Sequence, residues 1–180
     1  MEYTHRTASP LGGITMSSDG RALTGLWFDG QKHFAETLSA VHKDADLPVF
    51  ALTERWLETY FSGRQPDFTP PLALRATPFR ETVWRALLTI PYGRTVSYGA
   101  LAALVAAQSG LPRTSARAVG GAVGHNPISL IIPCHRVVGA DGGLTGYAGG
   151  NDRKQTLLAM ERQEDPYGKQ QHETAASRAL

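Results

Sequence analysis

Ile131-Ile132-Pro133-Cys134-His135-Arg136-Val137-Val138 holds the only cysteine of a 180-residue chain. Aliphatic residues lie on both sides, and a proline restrains the backbone just before the thiol. A lone thiol between apolar runs is by default a small buried hydrophobe. A reactive one needs more: a neighbour that lowers its pKa or takes its proton. His135 is such a neighbour. Adjacent residues on a strand point to opposite faces, however, so the pair alone is weak evidence.

Upstream of this stretch the pattern is helical. Thr77 is placed to cap a helix with Pro78 at its first position, and Phe79, Val83, Trp84, Leu87 and Leu88 share one face. Pro91-Tyr92-Gly93 ends it. Ser97 caps a second helix running to about Ala107, with Leu101 and Leu104 inward, and a turn over 108–112 leads to a third from about Thr114 to Val123. Short helices joined by a tight connection suggest a helix-turn-helix, a pattern also common in other all-α proteins. Ala116-Arg117-Ala118-Val119-Gly120-Gly121-Ala122 in the third helix is nearly all small. Each glycine costs about 1 kcal/mol relative to alanine, so stability does not ask for it. Either another helix packs close, or a foreign backbone does, with Arg117 the one long side chain reaching out.

His125-Asn126-Pro127 reads as a turn and Ile128 to Ile132 as a strand leading into Cys134. Turn residues at 140–143 and the loop Gly146-Tyr147-Ala148-Gly149-Gly150 follow, and Asn151 is placed to cap a last helix ending near Glu161. Residues 164–180 carry few apolar side chains and read as a disordered tail. At the other end, 1–30 holds three short strands separated by Gly-rich turns, an antiparallel meander. Residues 31–47 are poorly patterned. Val49 to Phe61 has one apolar helical face, closed by Gly63. Three prolines within 66–71 mark a linker. The expectation is an α+β protein: an N-terminal mixed α/β domain over 1–76 with an antiparallel sheet, and a mostly helical, winged helix-turn-helix-like domain over 77–163.

Composition narrows the function. With 42% apolar and 19% charged residues the chain is that of a globular protein, without an apolar run of membrane-spanning length. Its start has no apolar signal segment. One cysteine excludes an internal disulfide framework and a multi-cysteine zinc site, which fits a reducing, cytoplasmic setting. His5, His33 and His42 share no ligand spacing, so no metal and no cofactor is expected. Residues 77–162 carry nine Lys/Arg against four acids, a net +5, whereas 1–76 carry seven against nine. A basic half fits a polyanion partner, though it is also compatible with an ordinary surface.

Pro133-Cys134-His135-Arg136-Val137-Val138 resembles the active-site signature of the O6-alkylguanine-DNA alkyltransferases. The resemblance extends through Ile90-Pro91-Tyr92-Gly93, Ser97-Tyr98, the 116–122 run, Asn126-Pro127, the 146–150 loop and Lys154 through Glu161. It is close over about 77–162 and loose before that. It implies a monomeric repair protein for double-stranded DNA containing O6-alkylguanine, and O4-alkylthymine as well. The alkyl group would pass once and irreversibly to Cys134. His135 would act as base through a water, Glu161 would orient His135, Asn126 would hold the turn beside the thiol, and Tyr98 would offer its hydroxyl to the leaving base. Val137, Tyr147, Ala148 and Gly149 would form the base pocket. Ser97, Arg117, Ala118, Gly120, Gly121 and Arg136 would contact DNA, with Arg117 filling the gap left by a flipped nucleotide. The 105–114 connection is longer than is typical of the family, and the first domain lacks the cysteines and paired histidines of the zinc site that some members carry. Two other classes use parts of this pattern: alkyltransferase-like proteins that bind lesions without repair but replace the cysteine, and cysteine hydrolases, which turn over repeatedly.

Overall fold

The computed structural model describes residues 1–163; the expected tail, 164–180, lies outside them. Three strands, β1 (Glu2–Thr7), β2 (Ile14–Ser18) and β3 (Leu23–Phe28), form the expected antiparallel meander. The segment read as unpatterned adds a short fourth, β4 (His42–Asp44), which pairs with β1 in parallel. Its three residues are exposed, so no apolar alternation announces it. It is held by the ladder and by a hydrogen bond of 2.5 Å from the Thr4 hydroxyl to Asp44. The sheet is therefore mixed, in the order β3-β2-β1-β4.

Strands β2 and β3 are buried throughout because other elements cover them. Helix α1 (Pro48–Phe61) buries Val49, Phe50, Trp56, Leu57 and Tyr60 on one face. The outer edge of β3 is not left open. Its Leu23 exchanges backbone hydrogen bonds with the end of the proline-rich linker, at 2.8 and 2.9 Å with Pro71 and Ala73. Leu26 does the same with the segment entering the cysteine stretch, at 2.8 and 2.9 Å with Pro127 and Ser129. One strand thus pins both the linker and the approach to Cys134, while protecting an edge that would otherwise template aggregation.

The second half is built on α2 (Pro78–Leu87), α3 (Tyr98–Ser109) and α4 (Ala116–Gly124), which pack on one another. Their starts are chemical: Thr77, Ser97 and Ser115 each accept the amide of the residue three ahead. Helix α4 begins at Ala116, two residues later than the pattern predicts, because Ser115 supplies the capping hydroxyl. The Trp84 indole donates to the Ala122 carbonyl at 2.8 Å and locks α2 to α4. Two residues each of β5 (Val96–Ser97) and β6 (Val137–Val138) pair in parallel, and α5 (Asn151–Glu161) closes the unit. Gly150 with φ +92°, not the Asn151 side chain, occupies the position before α5. A continuous core runs from Ile14, Leu26 and Tyr60 through Trp84 and Leu101 to Ile132 and Leu157. Among the described residues no helix is long and apolar enough to cross a membrane.

Candidate active site

The expected strand from Ile128 to Ile132 is not there. The chain instead folds into consecutive turns, with Leu130 at φ +69°. An apolar run of this length signals burial on all sides and does not distinguish a strand from a packed coil. Asn126 supplies what a ladder would have supplied. Its side-chain amide donates to the carbonyls of Ile128 (3.2 Å) and Ile132 (2.9 Å), and its Oδ1 accepts from the Ile128 amide (3.0 Å). The same Nδ2 also lies 3.2 Å from the Cys134 sulfur. One buried amide therefore shapes the turn and presents a donor to the thiol.

Cys134–Arg136 form a single 3-10 turn, so the opposite-face objection to Cys134 and His135 does not apply: successive residues are about 120° apart on such a helix. His135 is fully buried, and its Nε2 lies 2.7 Å from Glu161 Oε1. Among the described residues Nδ1 has no hydrogen-bond partner. Glu161 is the hub of the site. It also receives Arg136 through Nε at 2.8 Å and Nη2 at 2.9 Å, the Tyr60 hydroxyl at 2.7 Å and the Gly93 amide at 3.1 Å. Burial opposes ionisation, but the His135 and Arg136 contacts outweigh it and hold the carboxyl well below the usual range.

Arg136 must be reassigned. It was expected on the DNA, but the structure buries it, with Nη1 on the Ile90 carbonyl at 2.8 Å and the remaining donors on Glu161. Its guanidinium lies 5.5 Å from the Tyr92 ring centroid. A guanidinium spent on a buried carboxylate is not available to phosphates.

Two residues the sequence did not single out complete the arrangement. Tyr60, from α1, touches Glu161 and lies 3.3 Å from His135 Nε2; no motif could mark an aromatic 75 and 101 positions away in sequence. Lys154 is buried on α5, with its ammonium on the carbonyls of Val137 (2.5 Å) and Thr145 (3.0 Å). Burial pushes the Cys134 thiol up despite the opposing influence of Asn126 and Lys154. Burial also pushes His135 down despite Glu161. Both shifts favour the uncharged forms, a thiol and a neutral imidazole.

Of the other expected residues, Val137, Tyr147 and Gly149 are buried beside the site, and the Tyr147 hydroxyl has no hydrogen-bond partner among the described residues. The Tyr98 hydroxyl donates to the Thr145 carbonyl at 3.2 Å, and burial followed by the Cys134 charge raises its pKa. A cleft of about 510 Å³ opens between α4, the 146–151 loop and Lys32-His33, with Gly120, Gly121, Tyr147 and Ala148 in its wall. Arg117 and Ala118 are exposed on α4. A Cβ at Gly121 would meet nothing, whereas one at Gly120 would touch the Tyr98 ring at 3.6 Å. The small residues thus serve both readings: Gly120 faces a neighbour, Gly121 faces open space. Ser97 spends its side chain capping α3 at 3.1 Å.

Fold and site together define a protein with a buried cysteine centre, its thiol followed by an imidazole–carboxylate pair and set beside a helix-turn-helix. Comparison with known proteins narrows the class. The family model for the DNA binding domain of 6-O-methylguanine DNA methyltransferase matches residues 78–163, and that for its ribonuclease-like domain matches 3–74. A methylated-DNA–protein-cysteine methyltransferase of Mycobacterium tuberculosis is 46% identical over 158 residues, covering 88% of this chain and 91% of that protein. The Haemophilus influenzae protein of the same name is 41% identical over 155 residues, covering 86% and 83%. The crystal structure of Mycobacterium tuberculosis OGT in complex with DNA superposes with a TM-score of 0.77 at 44% identity, over 92% of this chain and 96% of that one. The chain belongs to the 6-O-methylguanine DNA methyltransferase family, and its activity is DNA repair by transfer of a methyl group from DNA to a protein cysteine.

Proposed function

We propose that the protein repairs O6-alkylguanine, and O4-alkylthymine, in duplex DNA by moving the alkyl group once and irreversibly onto Cys134. The observation that carries this reading is the Cys134 sulfur, buried 3.2 Å from the Asn126 amide and followed by an imidazole already paired with a carboxylate. Residue roles follow the chemistry. The thiol passes its proton to His135 Nδ1, the unpartnered nitrogen, through a water. Glu161 stabilises the imidazolium, and Arg136, Tyr60 and Gly93 keep Glu161 ionised and fixed. The sulfur attacks the alkyl carbon as the carbon–O6 bond breaks. The electron pair stays on the guanine, which takes up a proton with Tyr98 positioned to donate. The products are guanine and a thioether. A thioether does not leave under these conditions, so each molecule reacts once.

O6 lies on the pairing edge of guanine and Cys134 is only 4% exposed, so the base must leave the stack. The cleft between α4 and the 146–151 loop is the entry this implies, with exposed Arg117 and Gly121 on the helix that would lie in the minor groove. Arg136 and Lys154 are buried, so the basic face rests on the other cations of residues 77–162. Binding without repair is disfavoured by the cysteine itself, and a hydrolase by the match to the methyltransferase family over residues 78–163. Intact mass after mixing with duplex carrying O6-methylguanine should show one added methyl group on the wild type. Cys134→Ser should show none while still binding the duplex. Transfer by Cys134→Ser, or repeated turnover by the wild type, would refute the proposal.

A further inference from the structure

A second cluster lies in the wall of the same cleft, apart from Cys134, His135 and Glu161. His33, Glu36 and His125 each offer one ligand atom, and the three atoms lie within 4.8 Å of one another. His33 and His125 are 92 positions apart in sequence, and nothing in their spacing couples them. The fold brings their rings to a centroid separation of 4.0 Å.

Each ligand is held by something that packing alone does not require. His125 ends α4, and its Nδ1 is committed to the Gly121 carbonyl at 2.8 Å. Nδ1 therefore donates, and Nε2 carries the free lone pair. A backbone carbonyl on the far nitrogen is the usual device that orients a metal-binding imidazole. His33 adopts φ +60°, and Ala35 adopts φ +54°. Left-handed backbone in residues other than glycine is uncommon and persists where the surroundings impose it. Glu36 lies 2.6 Å from His33 Nδ1, which ties the two side chains together.

The local field is mixed. The C-terminal end of α4 presents the negative pole of the helix to His125, and Glu36 adds a full negative charge. Arg80 and Lys32 act in the opposite sense, since Arg80 is near enough to influence Glu36 and Lys32 lines the same cleft. We infer that His33, Glu36 and His125 form a three-ligand site for a borderline divalent transition metal of the zinc, cobalt or nickel class. Two imidazoles and a carboxylate suit those ions and not calcium or magnesium, which take oxygen ligands. Tetrahedral zinc with bonds near 2.1 Å puts neighbouring ligands about 3.4 Å apart. Glu36, with 54% of its side chain exposed, would turn from His33 Nδ1 toward the ion to close the set. Water would take the fourth position. The ion would clip the segment after β3 to the end of α4, and so brace the wall of the cleft.

The test uses the full chain carrying Cys134→Ser, so that no thiol competes, after exhaustive removal of metal. Titration with cobalt chloride should give the intense visible bands of a low-symmetry site, saturating at one equivalent. Zinc chloride should displace the cobalt and raise the melting temperature. Glu36→Gln and His33→Asn should each weaken binding at least about tenfold and remove the thermal shift. Asparagine tolerates the left-handed backbone, and Glu36 is exposed, so both variants should keep their circular dichroism. His5→Asn, at a half-buried histidine beside Asp46 and Glu54 on β1, should leave cobalt uptake unchanged. Absence of cobalt uptake overturns the inference. So does uptake that persists in both Glu36→Gln and His33→Asn, or that is lost in His5→Asn.

Discussion

Replacing Arg136 by alanine separates a buried structural cation from a DNA contact. The guanidinium makes two bonds to Glu161 and one to the Ile90 carbonyl, and its side chain is only 10% exposed. Truncation leaves Glu161, whose side chain is fully buried, with His135, Tyr60 and Gly93 as its remaining partners. Removing one member of a buried pair costs about 3–5 kcal/mol, because the other charge stays behind uncompensated. At about 2–4 °C per kcal/mol for a chain of this size, the melting temperature should fall by roughly 10 °C. Transfer to Cys134 should slow as well, since an unsupported Glu161 takes up a proton more readily and loses its hold on His135. Affinity for unmodified duplex, measured below the new melting point, should keep its salt dependence. The assays are thermal melting by circular dichroism and DNA binding across a salt series. An unchanged melting temperature, with a salt slope reduced by about one, would show that Arg136 meets a phosphate and that its burial has been misread.

Tyr60→Phe keeps the ring and removes only the hydroxyl on Glu161. A hydrogen bond to a charged acceptor is worth about 1.5–3 kcal/mol, so stability and transfer rate should both fall, and a variant matching wild type in both would deny Tyr60 a part in positioning the pair. Arg117→Ala should weaken repair of duplex DNA far more than reaction with free O6-alkylguanine base, which needs no flipping; equal losses would make Arg117 structural. Melting temperature should fall as pH drops from neutral. Burial holds His135 below its ordinary 6.5, so below that pH the unfolded chain binds a proton that the native one refuses. Glu161 is held below its ordinary 4.5 and steepens the loss from there. A profile flat between pH 7 and 4 would contradict both shifts. The alkylated protein should melt below the free one, more so for benzyl than for methyl. Cys134 is packed at 4% exposure, and overpacking costs on the order of 1–3 kcal/mol. Equal melting of the adducts and the free protein would show that the pocket already has room.

Sequence alone determined what is local or carried by residue type. Thr77 with Pro78, Ser97, and the apolar face around Trp84 announce helices because caps and periodicity act within one or two turns. The lone cysteine and its flanking motif announce the chemistry, because no other residue in the chain supplies that nucleophile. What tertiary structure decided lies wherever a side chain's partner is far away in sequence. The run 128–132 has the composition of a strand, yet Asn126 takes the carbonyls of Ile128 and Ile132, and Ile128 makes an isolated bridge to Leu26. Arg136 has the composition of a DNA contact, yet α5 delivers Glu161 beneath it. Tyr60 enters the site from α1, and His33 meets His125 only because β3 and the end of α4 are held side by side. Burial and pairing at such distances are properties of the packed molecule, set by which surfaces exclude water together, and residue spacing along the chain does not encode them.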